Sequence, residues 1–268
     1  MYYKFITKNK GILIKIIALI ALSFILKYIS HRNFLPDSLL GTYQMYMGGT
    51  FLEESTSILQ IISLLLISVL FIYFIPYEIV KEIKENEIYI KYRFEKNTKI
   101  LLFFAIKNVF YSLFYQLIQI LIIAFITFQF HPIQIIGGEL IKLLITSTMQ
   151  LLIILFISEF FLYYMKFEIG MVLSLLVIVS PIIITGIVFH NSPSYLELCK
   201  YIPFNHGNYN YYYVSKYTFY GTSITYSVFP HYKYVFSFIC QMIELVISVV
   251  GLMCIINRKD LLGENYEN

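Results

Sequence analysis

Glu244 and Glu159 stand out for chemistry, because each is a carboxyl set inside a long apolar run. A charge at the centre of a bilayer costs about 2.5–3.5 kcal/mol on insertion scales, so such a residue faces a protein interior, pairs, or takes up a proton. Glu244 lies near the middle of its run. Glu159 lies about a turn and a half from the end of its own, close enough to reach water. Gln116, Gln119 and Gln150 are polar but uncharged, and read as interhelical hydrogen bonds that fix packing. Catalytic signatures are missing: there is no His-Glu-x-x-His, no Gly-x-Ser-x-Gly and no Gly-x-x-x-x-Gly-Lys-Ser/Thr. Cys199, Cys240 and Cys254, and the five scattered histidines, have no metal-ligand spacing. The reading is of a non-enzyme, with no catalytic residue, no metal and no directly bound cofactor.

The elements that must carry these residues follow from composition. Of 268 residues, 59% are hydrophobic and 13% are charged, and the mean hydropathy is +0.72. Soluble domains average about 25% charged residues. The apolar excess falls into runs close to the roughly 20 residues that cross a bilayer as a helix. This excludes a soluble enzyme, a disordered chain and a nucleic-acid binder. Six spans are expected, at about 11–30, 55–77, 108–130, 140–164, 169–189 and 233–257, forming one all-α transmembrane domain over residues 1–268. The first is an uncleaved anchor, since its apolar run continues through Ala21-Leu22-Ser23. Segments 1–10, 78–99, 165–168 and the tail carry 12 Lys/Arg, against four in the intervening loops. The positive-inside rule then puts both termini in the cytoplasm.

Residues 78–99 hold six Lys/Arg and five Glu between spans two and three. Acidic residues come first, then an apolar-alternating stretch, then basic residues. This resembles the permease subunits of bacterial type-2 ABC exporters, in which a similar stretch reads Glu-x-x-x-Gly, a hydrophobic pair, a basic residue, then Gly-Lys before span three. Glu82 takes the acidic position and Lys107 the lysine; the glycine positions are filled by Asn86 or Glu87 and by Ile106. The resemblance implies a coupling helix that docks on a separate ABC-type ATPase, with ATP bound by that partner. It also implies a second permease copy or related chain, surrounding membrane lipid, and a multi-pass protein of the bacterial plasma membrane. On this reading Ile79 and Ile83 anchor in a groove of the ATPase, while Glu82, Glu85 and Glu87 orient it. A loop held by ion pairs such as Lys81–Glu85 is the plainer reading of the same residues.

Residues 190–232 form a long outer loop, and the stretch 195–234 contains 11 of the 25 tyrosines. Tyrosine favours the membrane interface, so an aromatic belt is one reading. The other, which the exporter resemblance shares, is a re-entrant segment between spans five and six, with Tyr211, Tyr212 and Tyr213 as an outer gate. The resulting expectation is an exporter of a peptide, antibiotic or lipid-like molecule. An ATPase-independent channel or carrier, and a non-transporting immunity or assembly protein, remain open alternatives.

Overall fold

The computed structural model describes residues 2–31, 34–36, 42, 43, 45, 51–85, 97–130, 137–211, 216–219, 222–225, 228, 229 and 233–262. Among the described residues the fold is all-α, with six helices long and apolar enough to cross a membrane and small strands in the connections. The helices are α1 (Tyr2–His31), α2 (Ile58–Phe74), α3 (Pro76–Glu85), α4 (Asn97–Phe130), α5 (Gly137–Tyr164), α6 (Phe167–Asn191) and α7 (Tyr234–Leu262). Strand β1 (Phe34–Pro36) pairs antiparallel with β2 (Lys216–Phe219), which pairs with β3 (Thr222–Thr225). The β1–β2 pairing brings the α1–α2 and α6–α7 connections to one end of the bundle, as alternating crossings require.

Each spanning helix is apolar on all sides, and only one stripe of it is buried. On α1 the inward stripe is Ile12, Ile16, Leu19 and Ile20, at helical spacing, whereas Ile14 and Ile25 are exposed. On α4 the outward stripe runs Leu102, Ile106, Val109, Leu113, Leu117 and Leu121. Apolar surface this extensive is compatible with lipid as the outer solvent, not water. Helix α5 occupies the middle of the packing and touches α3, α4, α6 and α7. Gly170 lets α6 approach closely, because a Cβ there would lie 2.9 Å from the Phe161 carbonyl oxygen at the end of α5.

The second and third spans differ from the sequence expectation, each for a physical reason. The second span starts at Ile58, not at 55, because Ser55 belongs to a turn in which its hydroxyl donates to the Leu52 carbonyl. Pro76 interrupts that span, since it has no N–H to donate; the chain nevertheless continues as α3, with the Ile79 N–H donating to the Ile75 carbonyl at 3.1 Å. The third helix begins at Asn97, well before residue 108. Lys107 does not end the apolar run, because its ammonium pairs with the Glu82 carboxylate at 2.7 Å and both side chains are nearly buried.

The docking expectation for residues 78–99 needs correction. Residues 78–85 form a helix that continues on from Pro76. Ile79 and Ile83 are 0% and 1% exposed and sit in the main core with Val80, so they anchor α3 inside its own chain, not in a partner's groove. Their spacing of four places them on one face, and that face meets α5. Glu82 is taken by Lys107 and also leaves the docking set. Glu85 stays on the surface, and the expected Lys81–Glu85 pair forms at 3.8 Å. Glu87 lies outside the described residues. Lys84 donates to the Leu162 carbonyl at 2.8 Å, satisfying one of the carbonyls that the last turn of α5 leaves open.

These contacts predict opposite outcomes for neighbouring residues of α3. Ile79→Ala and Ile83→Ala should each cost about 2–5 kcal/mol, and Glu82→Ala about 3–5 kcal/mol, because it strands a buried lysine. Lys81→Ala should stay within about 0.5 kcal/mol. Thermal unfolding in detergent measures all four.

Candidate functional site

The chain after α6 does not form a helix that crosses the bundle. Pro193 opens a series of 3-10 turns over Pro193–Tyr201, Asn205–Gly207 and Tyr209–Tyr211. Asn205, Asn208 and Asn210 compete with the backbone for hydrogen bonds, which disfavours a regular α-helix here. The segment packs into the bundle: Leu196, Cys199, Asn205 and His206 are all buried.

Side chains from three helices hold it there. At its centre Phe204 has φ of 69°, a left-handed conformation that costs a non-glycine residue about 1–2 kcal/mol. The Phe204 N–H donates to Glu244 Oε1 at 3.3 Å, and its carbonyl accepts from Gln150 Nε2 at 3.4 Å. Asn205 Nδ2 donates to Thr185 Oγ1 at 2.7 Å and to the Cys199 carbonyl at 2.9 Å. The Ser237 hydroxyl donates to the His206 carbonyl at 3.2 Å. Gln241 Nε2 donates to the Thr146 carbonyl at 3.1 Å and approaches Gln150 Oε1 at 3.5 Å, tying α7 to α5 beside the turn. Gly207 lies so close to Gln150 that any Cβ would overlap its side chain. Glu244 is ten residues into α7, about 15 Å from its first residue at 1.5 Å per residue. The turn at Phe204 therefore meets the helices well inside their apolar spans.

Beneath this turn lies a cavity of about 230 Å³. Phe204, Gly207 and Asn208 close one side of it. Lys27, Gln60, Gln119 and Gln150, from four different helices, are among its polar groups, together with the hydroxyls of Ser23, Ser63, Ser68 and Tyr115. Lys27 Nζ donates to Gln60 Oε1 at 3.0 Å. Among the described lining residues Lys27 alone carries a charge.

The residues singled out in the sequence fall in different places. Glu244 turns inward as expected, and its Oε2 is buried with no hydrogen-bond partner among the described residues. Glu159 does not reach water. It is 0% exposed, and Asn108 Nδ2 donates to its Oε2 at 2.8 Å. The extra turns of α4 and the packing of α3 on α5 cover the end of the span that was expected to open to water. Tyr211 is 0% exposed and packs against Phe229 at 5.2 Å between ring centroids, within a small cluster that includes Leu52 and Leu196. It is a core residue there, not a free gate. Tyr212 and Tyr213 lie outside the described residues. Gln116 is structural, accepting from the Tyr43 hydroxyl at 3.0 Å, whereas Gln119 and Gln150 also line the cavity. Lys27 and Gln60 were not singled out. Nothing in linear spacing joins Lys27 to Gln60, 33 residues away.

A second, shallower groove of about 170 Å³ lies between α3 and the α5–α6 connection, lined by Tyr77, Lys81, Lys84, Glu85, Leu162 and Phe167. The fold and cavity define a multi-pass membrane protein. No family model, no curated protein and no solved structure matches the chain.

Two outcomes follow from the anchored turn. Glu244→Leu removes the acceptor of the Phe204 N–H and should cost about 1–3 kcal/mol, whereas Glu244→Gln keeps an acceptor and should retain most of it. Amide exchange across 199–211 measures the difference. Burial pushes the His206 imidazole down to about 4 from 6.5. The unfolded chain therefore binds more protons between those values, and stability should fall as pH drops from about 6.5 toward 4. His206→Asn should flatten that part of the pH profile of thermal unfolding.

Proposed function

We propose that this chain is the membrane-spanning permease of an ATP-driven exporter, moving an amphipathic molecule outward with energy from a separate ABC-type ATPase. The observation that carries the reading is the Glu82–Lys107 ion pair. These are the two positions that resemble the exporter pattern around the coupling segment, and their 2.7 Å contact locks α3 to α4 at Lys107, ten residues into that helix. A movement delivered to α3 by a soluble subunit is then transmitted to α4 through this pair and to α5 through Ile79, Val80 and Ile83.

The orientation that fits has α3, the α5–α6 connection and both termini in the cytoplasm, and the 193–211 segment as a re-entrant element of the outer leaflet. The excess of Lys/Arg on the α3 side supports it. The bacterial plasma membrane and a second permease copy belong to the same reading. The docking surface shifts from the isoleucines to the charged outer face of α3, where Lys81 and Glu85 lie beside the shallow groove. Surface charges of this kind set orientation and association rate more than affinity.

The test is purification of the tagged chain from its own cells, followed by ATP turnover and transport in vesicles. An ABC-type ATPase should co-purify. The double change Lys81→Glu with Glu85→Lys keeps an i,i+4 pair but reverses the charge pattern. It should reduce ATPase association by about tenfold without changing thermal stability. Substrate movement in vesicles without any ATPase would replace this reading with an autonomous carrier.

A further inference from the structure

We infer that the cavity under the Phe204 turn binds a single-chain amphiphile with an anionic head, the head lying beside Lys27 and the chain running toward Phe71. The inference names the substrate class for the exporter reading and rests on that reading for transport, but not for binding.

The lining grades from polar to mainly apolar along α2 and α5. At the end of the cavity nearest the 3-10 segment stand Lys27 on α1, Gln60 on α2, Gln119 on α4 and Gln150 on α5. Deeper in, the lining becomes Ile67 and Phe71 on α2 and Leu151 and Ile154 on α5, with Ser68 and Tyr115 as the remaining polar groups beside them. On α6 the deeper wall is Ile178. From Gln60 to Phe71 the lining extends 11 residues along one helical path, about 16 Å at 1.5 Å per residue. That is the profile of a polar head attached to an apolar chain, not of a polar solute or a purely apolar one.

Lys27 sets the charge of the head, since it brings a cation and donors only, whereas the glutamines offer donor and acceptor alike, with Gln150 Nε2 already donating to the Phe204 carbonyl. Gln60 and Gln119 are 4% and 5% exposed, so these groups are held within the protein and not in bulk solvent. No carboxylate lines the cavity among the described residues. Glu54 acts on the buried Lys27 electrostatically from outside the lining. A carboxylate or phosphate head would meet the same lysine from within the cavity by charge-assisted hydrogen bonds.

Size limits the chain. Drug-sized ligand sites run about 300–1,000 Å³, and this cavity is about 230 Å³. One acyl chain with a compact head fits the space, with any surplus chain leaving through the open side of the cavity. Two chains do not fit.

The experiment is equilibrium binding to the purified chain in nanodiscs of zwitterionic lipid, with no ATPase present. The probes are oleate, oleoyl-lysophosphatidylglycerol and oleoyl-lysophosphatidylcholine, read by native mass spectrometry and by displacement of a fluorescent fatty acid. Saturable one-to-one binding of an anionic probe, weakened about tenfold or more by Lys27→Gln and abolished by Ile154→Trp or Leu64→Trp, supports the inference. Preference for oleate assigns a carboxylate head, and preference for the lysophosphatidylglycerol assigns a phosphate head. Equal binding of the choline lipid, indifference to Lys27→Gln, or non-saturable binding overturns it. Because no ATPase takes part, binding without ATP-driven transport would keep this inference and remove the exporter reading. ATP-driven transport without this binding would do the reverse.

Discussion

In an apolar medium every backbone N–H and C=O must find its partner within the protein, and helices meet that demand by themselves. The 193–211 segment does not, yet it packs into the bundle. Its backbone groups are met in part by its own 3-10 turns and in part by side chains projected from the helices around it: Gln150 from α5, Glu244 and Ser237 from α7. Thr185 from α6 fixes Asn205. The left-handed turn at Phe204 persists because both of its amide neighbours are held in this way. The cavity exists because that turn closes one side of it. Gln150, Thr185, Ser237 and Glu244 thus mark where a non-helical chain must be satisfied.

The other end of the bundle solves a charge problem by pairing. Lys107 is tolerated in α4 because Glu82 reaches it from α3. Asn108, the next residue, donates to the buried Glu159 on α5. The two contacts are consecutive in sequence and join three helices. Helix α5 then runs from this cluster to Gln150 at the Phe204 turn, so one element touches both ends of the molecule.

Much of this architecture was legible in the sequence, since runs of apolar residues near bilayer length leave few alternatives to spanning helices. Glu244 was also legible, because a lone carboxyl in such a run needs a partner. The site itself was not. Lys27, Gln60, Gln119 and Gln150 come from four helices, and linear spacing carries no trace of their meeting. The inward turn of Ile79 and Ile83 was missed because a charged segment reads as solvent-facing, although its apolar residues at spacing four already describe one buried face. The early start of α4 was missed because a single lysine looks like the end of a span until its partner is known.

The most direct measurement concerns two positions within one segment. Cys199 is 2% exposed, and burial pushes its thiol up, whereas Ser194 is exposed five residues earlier. The sequence alone placed Cys199 on an accessible outer loop. In a background with Cys240 and Cys254 replaced by alanine, membranes open to both faces are treated with a polar maleimide. If the segment is packed into the bundle, Ser194→Cys reacts at once, and Cys199 reacts more than about tenfold slower, because its exposure requires local opening. Denaturation then restores the reaction of Cys199. Equal rates at the two positions in the native protein would contradict the account.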